Sequence, residues 1–193
     1  MRRYLIALTL ISAGPVLAAE PDPFFSGGLF FTPLSEVDTG AAKVDGSGFG
    51  VRAEIGGALH IHGEYLQSSL DDNAVDVDFT DTRLGMTYRS HMDNGFLLVS
   101  AEYVGLDVDA LGDDQGVGVH LGAGFNAGQA VTLTGRVGML ALDDLDGPEL
   151  RLGVSGKLNE GTRVFGEYRT AMLSDAGADV DINDLRIGIN FSF

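Results

Sequence analysis

The chain is 193 residues long, contains no cysteine and carries a formal net charge of −16. The lack of cysteine excludes disulfides, thiolate metal sites and a lipid-modified cysteine anchor. The acidity argues against nucleic acid as a partner, because phosphate contacts need basic surfaces. With 28 glycines against 5 prolines, the composition suits strands, tight turns and a crowded interior better than disorder.

In chain order, the first element reads as a Sec-type signal peptide over residues 1–18. Arg2 and Arg3 form its basic start, and Leu5 to Ala13 its apolar stretch. Pro15 ends the helix before Val16-Leu17-Ala18, which suits signal peptidase and leaves Ala19 as the first mature residue. The apolar stretch is far shorter than the ~20 residues of a spanning helix. Residues 19–193 read as one domain.

From Phe25 onward, side-chain polarity alternates with period 2, as in strands whose two faces meet different surroundings. Ten segments show it, at 24–33, 47–55, 59–68, 81–90, 96–106, 115–126, 130–141, 149–158, 162–172 and 184–193. Each is close to the ~9–11 residues with which a tilted strand crosses a bilayer. In the last segment Leu185, Ile187, Ile189, Phe191 and Phe193 oppose Arg186, Gly188, Asn190 and Ser192. Tight turns are expected at Gly56-Gly57-Ala58, His91-Met92-Asp93-Asn94, Ala127-Gly128-Gln129 and Asn159-Glu160-Gly161. They alternate with longer, Asp-rich connections around 34–46, 69–80, 107–114, 143–148 and 173–183. The expected fold is all-β: an antiparallel up-and-down transmembrane barrel of ten strands, with short turns at one end and loops at the other. A soluble sandwich would solvate the charged face, whereas this face is rich in Gly and Arg and suits a narrow lumen.

The repeating unit is a hairpin. Outgoing strands carry Gly63-Glu64-Tyr65, Ala101-Glu102-Tyr103 and Gly166-Glu167-Tyr168, with Gly135-Arg136-Val137 as the exception. Returning strands carry Asp76-Val-Asp78-Phe-Thr-Asp81-Thr-Arg83-Leu-Gly85, matched by Asp179-Val-Asp181-Ile-Asn-Asp184-Leu-Arg186-Ile-Gly188. Glu149-Leu-Arg151-Leu-Gly153 is a shorter echo. The alternation points Arg52, Glu54, Glu64, Arg83, Arg89, Glu102, Arg136, Arg151, Glu167, Arg169 and Arg186 inward. Charges in a narrow lumen must be paired and hydrogen-bonded, so these residues predict an interior salt-bridge network. If the turn at 91–94 closes directly, Arg83 lies opposite Glu102. Tyr65, Tyr88, Tyr103 and Tyr168, with Phe31, Phe49, Phe125, Phe191 and Phe193, face lipid as an aromatic girdle.

With these features the chain resembles the small bacterial outer-membrane β-barrels: the OmpA transmembrane domain, OmpX and the opacity-type barrels. The resemblance rests on the signal peptide, the hairpin meander and the ending Ile187-Gly-Ile189-Asn-Phe191-Ser-Phe193. It implies location in the outer membrane, with lipid and lipopolysaccharide as surroundings. It also implies that Ile189, Phe191 and Phe193 are the signal read by the barrel assembly machinery. Barrels of that superfamily have eight strands, two fewer than the alternation predicts here.

Function is less constrained. The charges suit a structural and surface-interaction barrel with a largely plugged lumen and short acidic outer loops; the alternative is a narrow, weakly selective porin-like channel. Asp76, Asp78, Asp179 and Asp181 are weak candidates for divalent cations at the outer loops, and no loop has an EF-hand pattern. His60, His62 and His120 fall on the lumen face near Glu54 and Glu64, where hydrogen-bonded roles outweigh a metal site. No Ser/His pairing or outward-rim histidine suggests catalysis, so no enzyme activity and no cofactor are expected.

Overall fold

The computed structural model describes residues 24–40, 42–71, 76–109, 112–175 and 179–193. The expected signal peptide and its cleavage point near Ala18 lie outside the described residues. Ten strands follow one another: β1 (Phe25–Asp38), β2 (Lys43–Gly56), β3 (Leu59–Asp71), β4 (Asp76–Met92), β5 (Gly95–Val108), β6 (Gly112–Ala127), β7 (Val131–Leu142), β8 (Asp146–Asn159), β9 (Thr162–Ser174) and β10 (Asp179–Ser192). Each pairs antiparallel with its sequence neighbours, and β10 returns to β1, so the sheet closes. The count is ten, as the alternation predicts, rather than the eight of the superfamily it resembles. No helix among the described residues is long and apolar enough to cross a membrane. A closed sheet leaves no unpaired edge, which is what lets strands do so. At the seam the Phe193 amide donates to the Phe25 carbonyl at 2.9 Å, and the two rings lie 5.8 Å apart.

Nine of the ten strands run longer than the alternation alone suggested, up to 17 residues in β4, while β7 keeps 12. The excess lies mostly at the end that carries the connections 39–42, 72–75, 109–111, 143–145 and 175–178, here called the loop end. Stretches expected as long Asp-rich loops are therefore largely strand. The reason is an inversion of polarity without a break in period. In the body of the barrel, outward positions are apolar: Ile61, Leu84, Val99, Leu121, Val137, Leu152 and Ile187 are all exposed. Toward the loop end the outward positions become Asp45, Asp71, Asp78, Asp107, Asp113, Asp146, Asp179 and Asp181, all exposed. Over the same stretch the inward positions turn apolar, with Val37, Leu66, Leu70, Phe79, Val104, Leu140, Leu173 and Ile182 buried together. One half is thus built for hydrocarbon outside and the other for water outside.

The turn at the start of β5 is tighter than expected. β4 runs to Met92, which pairs with Gly95, so Arg83 sits opposite Val104 and Gly85 opposite Glu102. Arg83 and Glu102 are therefore not directly opposite. A two-residue slip preserves the face on which each side chain lies, and both still point inward. The glycines of the lumen face have a packing reason. Phe30 lies opposite Gly50, Phe96 opposite Gly124, His120 opposite Gly138 and Phe165 opposite Gly188. In each case a Cβ on the glycine would collide with the ring. Only a residue without a side chain makes room for an aromatic ring in so narrow a barrel.

Candidate functional site: the charged interior

Acid and arginine two residues apart on one strand share a face and reach each other. Arg83 Nε donates to Asp81 Oδ1 at 3.0 Å, Arg151 Nε to Glu149 Oε1 at 2.6 Å, and Arg186 Nη2 to Asp184 Oδ2 at 3.2 Å. These three clamps are the repeat of the returning strands, turned inward. Further bonds join neighbouring strands or cross the lumen. From β4, Arg83 Nη2 donates to Glu149 Oε2 on β8 at 2.7 Å, and its Nη1 to Glu102 Oε1 on β5 at 2.6 Å. From β9, Arg169 Nη1 donates to Asp81 on the opposite wall, and its Nη2 pairs with Asp184 Oδ2 at 2.5 Å. Arg186 Nη1 donates to Glu64 Oε1 at 2.6 Å and to Glu167 Oε1 at 3.4 Å. Ser35 donates to Asp184 Oδ1 at 2.9 Å. Arg83, Arg169, Arg186, Asp81, Asp184 and Glu149 are all buried to within 2 % of full exclusion from solvent.

Of the residues expected to point inward, Glu64, Arg83, Glu102, Arg151, Glu167, Arg169 and Arg186 are brought together in one layer. Arg52, Glu54, Arg89 and Arg136 lie nearer the four short turns, at the turn end. Arg52 stacks on Phe165 at 3.5 Å and Arg89 on Phe96 at 4.7 Å. The expected set lacked Asp81, Glu149 and Asp184, although the acid-x-Arg spacing in the repeat was the signal for all three. His62 Nε2 lies 3.1 Å from Glu102 Oε2, and His120 Nε2 lies 3.1 Å from Glu149 Oε1. His60 lies against the Gly57 carbonyl at 3.3 Å. Hydrogen-bonded roles thus account for the three lumen histidines.

Glu102, His120 and Glu149 lie close enough together to ligate a metal. Their oxygens are already engaged, however. Glu149 Oε1 faces Arg151 Nε, Arg83 Nη1 at 3.2 Å and His120 Nε2. A cation there would have to displace two guanidinium groups. The loop-end candidates do not converge either. Asp76 and Asp78 are on β4, Asp179 and Asp181 on β10, and these strands share no neighbour. Asp78 accepts from Ser69 Oγ at 3.0 Å. The two repeats are alike in sequence but sit on different sectors of the wall.

Outside, Tyr65, Tyr103 and Tyr168 are exposed where the apolar belt ends. The Tyr103 hydroxyl donates to Gln115 Oε1 at 2.5 Å and that of Tyr168 to Asn183 Oδ1 at 3.0 Å. An aromatic ring on the apolar side with its hydroxyl in a polar rim marks an interface. Phe31 and Phe49 pack at 5.0 Å on the same surface.

A closed antiparallel barrel with an apolar belt, a charged interior and an aromatic rim has the fold of the outer-membrane β-barrels. Solved structures agree. The chain is similar to the outer membrane protease OmpT of Escherichia coli, with a TM-score of 0.58 and 8% identity over 90% of this chain and 95% of that one. It is similar to an outer membrane channel of Pseudomonas putida F1, with a TM-score of 0.58 and 10% identity over 91% and 97%. Neisserial surface protein A gives a TM-score of 0.53 and 11% identity over 88% and 97%. No family model and no curated protein matches the sequence. These neighbours establish the outer-membrane barrel fold without singling out the OmpA and OmpX superfamily.

Proposed function

We propose that this chain is an integral protein of the bacterial outer membrane, exported by the Sec route with cleavage after Ala18. On this reading its barrel is a closed structural and surface-interaction element rather than a pore. The turn end then faces the periplasm and the loop end the exterior. One observation carries the reading: two successive layers of side chains fill the interior. The arginine–carboxylate layer spans the lumen from wall to wall, and the apolar cluster around Phe79, Leu66 and Leu140 lies beyond it. An ion would have to break buried charge pairs and then cross a hydrophobic plug, a far costlier path than a water-filled channel. The acidic exterior of the loop end would stand among lipopolysaccharide head groups, where divalent cations are its natural counter-ions. Ile189, Phe191 and Phe193 would present the assembly signal. We read no enzyme activity into the barrel, since His62 and His120 are held by carboxylates and His60 by a backbone carbonyl.

Planar-bilayer recording of the refolded protein tests this. The expected result is the absence of single-channel steps from protein that shows the heat-modifiable gel shift of a folded barrel. Stable steps whose selectivity changes on Arg83→Met or Glu102→Gln would instead establish the porin-like alternative.

A further inference from the structure

Among the outgoing strands, β3, β5 and β9 carry Glu64, Glu102 and Glu167, β1 has no charged residue in its body, and β7 alone carries an arginine, Arg136, in place of the glutamate. The substitution places Arg136 directly opposite Arg151 in the ladder. Like charges at opposed positions destabilise a sheet unless something compensates them. Arg151 has its compensation in Glu149 at 2.6 Å. Arg136 makes no ion pair or hydrogen bond with any described residue. Arg52, near enough to repel it, donates from Nε to Asn190 Oδ1 at 2.9 Å but has no carboxylate at ion-pairing distance. The acids around them are committed elsewhere. Glu64 and Glu167 are held by Arg186, Glu102 by Arg83, and the strongest electrostatic partner of Glu54 is Arg89.

Both arginines line a cavity of about 30 Å³ inside the barrel, together with His60, His62 and the carboxylates Glu54, Glu64, Glu102 and Glu167. That volume admits about two water-sized groups. Toward the loop end it is capped by the buried Arg83 and Glu102. Toward the turn end its wall includes Glu54, whose side chain remains 37 % exposed. The cavity is therefore reached from the turn end. Arg52 feels Glu167, Glu64 and Glu54 only from beyond ion-pairing distance, and two part-buried guanidinium groups without a carboxylate in contact retain hydrogen-bonding capacity for a small anion.

We propose that Arg52 and Arg136 form a binding site for one small monovalent anion, chloride or a carboxylate the size of formate, entered from the turn end of the barrel. The site rests on the barrel fold and not on the closed-barrel reading. Room for about two water-sized groups favours such an anion over sulfate or phosphate.

The test is chloride-35 NMR line width on the refolded mature chain in a non-ionic detergent at constant ionic strength, with folding verified by the heat-modifiable gel shift. Folded protein is expected to give saturable broadening that formate relieves and sulfate does not. Arg136→Gln and Arg52→Gln are each expected to weaken chloride binding at least tenfold. Arg136→Glu, which restores the repeat, should abolish it. If one arginine variant does not fold, the other carries the comparison. Absence of saturable broadening, equal broadening in a folded variant, or competition by sulfate as strong as by formate would each overturn the proposal.

Discussion

Arg83 is the residue through which the interior layer is most directly tested. It joins Asp81 on its own strand, Glu102 on the neighbouring one and Glu149 across the lumen. Arg83→Met keeps the length of the side chain and removes its charge. Each acid retains another partner: Asp81 keeps Arg169, Glu102 keeps His62, and Glu149 keeps Arg151. The loss is therefore of one hub rather than of the whole network. Removing one member of a buried ion pair costs about 3–5 kcal/mol, and the residual partners place the expected cost near the lower figure. With a urea dependence of about 2 kcal/mol per molar, the unfolding midpoint in lipid vesicles should fall by ~1.5 M. Far-UV circular dichroism and gel mobility can both follow the transition. Glu149→Gln alone should also destabilise, because it leaves Arg83 and Arg151 short of a partner. The double variant should lose less than the sum of the two, by about 1–3 kcal/mol, as expected for groups in one network. A midpoint shift below ~0.3 M for Arg83→Met, or strict additivity in the cycle, would refute the account of this layer as a coupled strut.

Two further outcomes follow from the same architecture. Phe79 is fully excluded from solvent in the loop-end core, so Phe79→Ala should cost about 3–5 kcal/mol. The charged layer beneath it is left in place, so bilayer recordings of this variant should still show no stable steps; a well-defined conductance would locate the closure in the apolar cluster instead. Deleting Phe193 removes the amide that bonds Phe25 and the ring beside it at the seam. It should sharply reduce the heat-modifiable form in the outer-membrane fraction, and normal yield of that form would show that neither seam nor signal needs this residue.

Much of this molecule is legible in one dimension because a strand alternates its faces residue by residue. The period alone locates ten strands and directs Arg83, Glu102, Glu167 and Arg186 to one side and Tyr65, Tyr103 and Ile187 to the other. The acid-x-Arg spacing of the returning strands likewise contains the clamps Asp81–Arg83, Glu149–Arg151 and Asp184–Arg186, since both partners lie on the same face of one strand. Polarity was the misleading cue at the loop end, where outward Asp suggested loops although the alternation continued through Asp76–Phe79 and Asp179–Ile182.

The cross-lumen partners depend on closure, which no local pattern encodes. Arg169 meets Asp81 across 88 residues of chain, and Arg83 meets Glu149 across 66. Those meetings require the strand number and ten registers together, and a slip of two residues at one turn changes who faces whom without changing which side they face. The same holds for Arg136, whose departure from the repeat is visible in the sequence. That it stands opposite Arg151, beside Arg52 and over a cavity, is a property of the closed barrel alone.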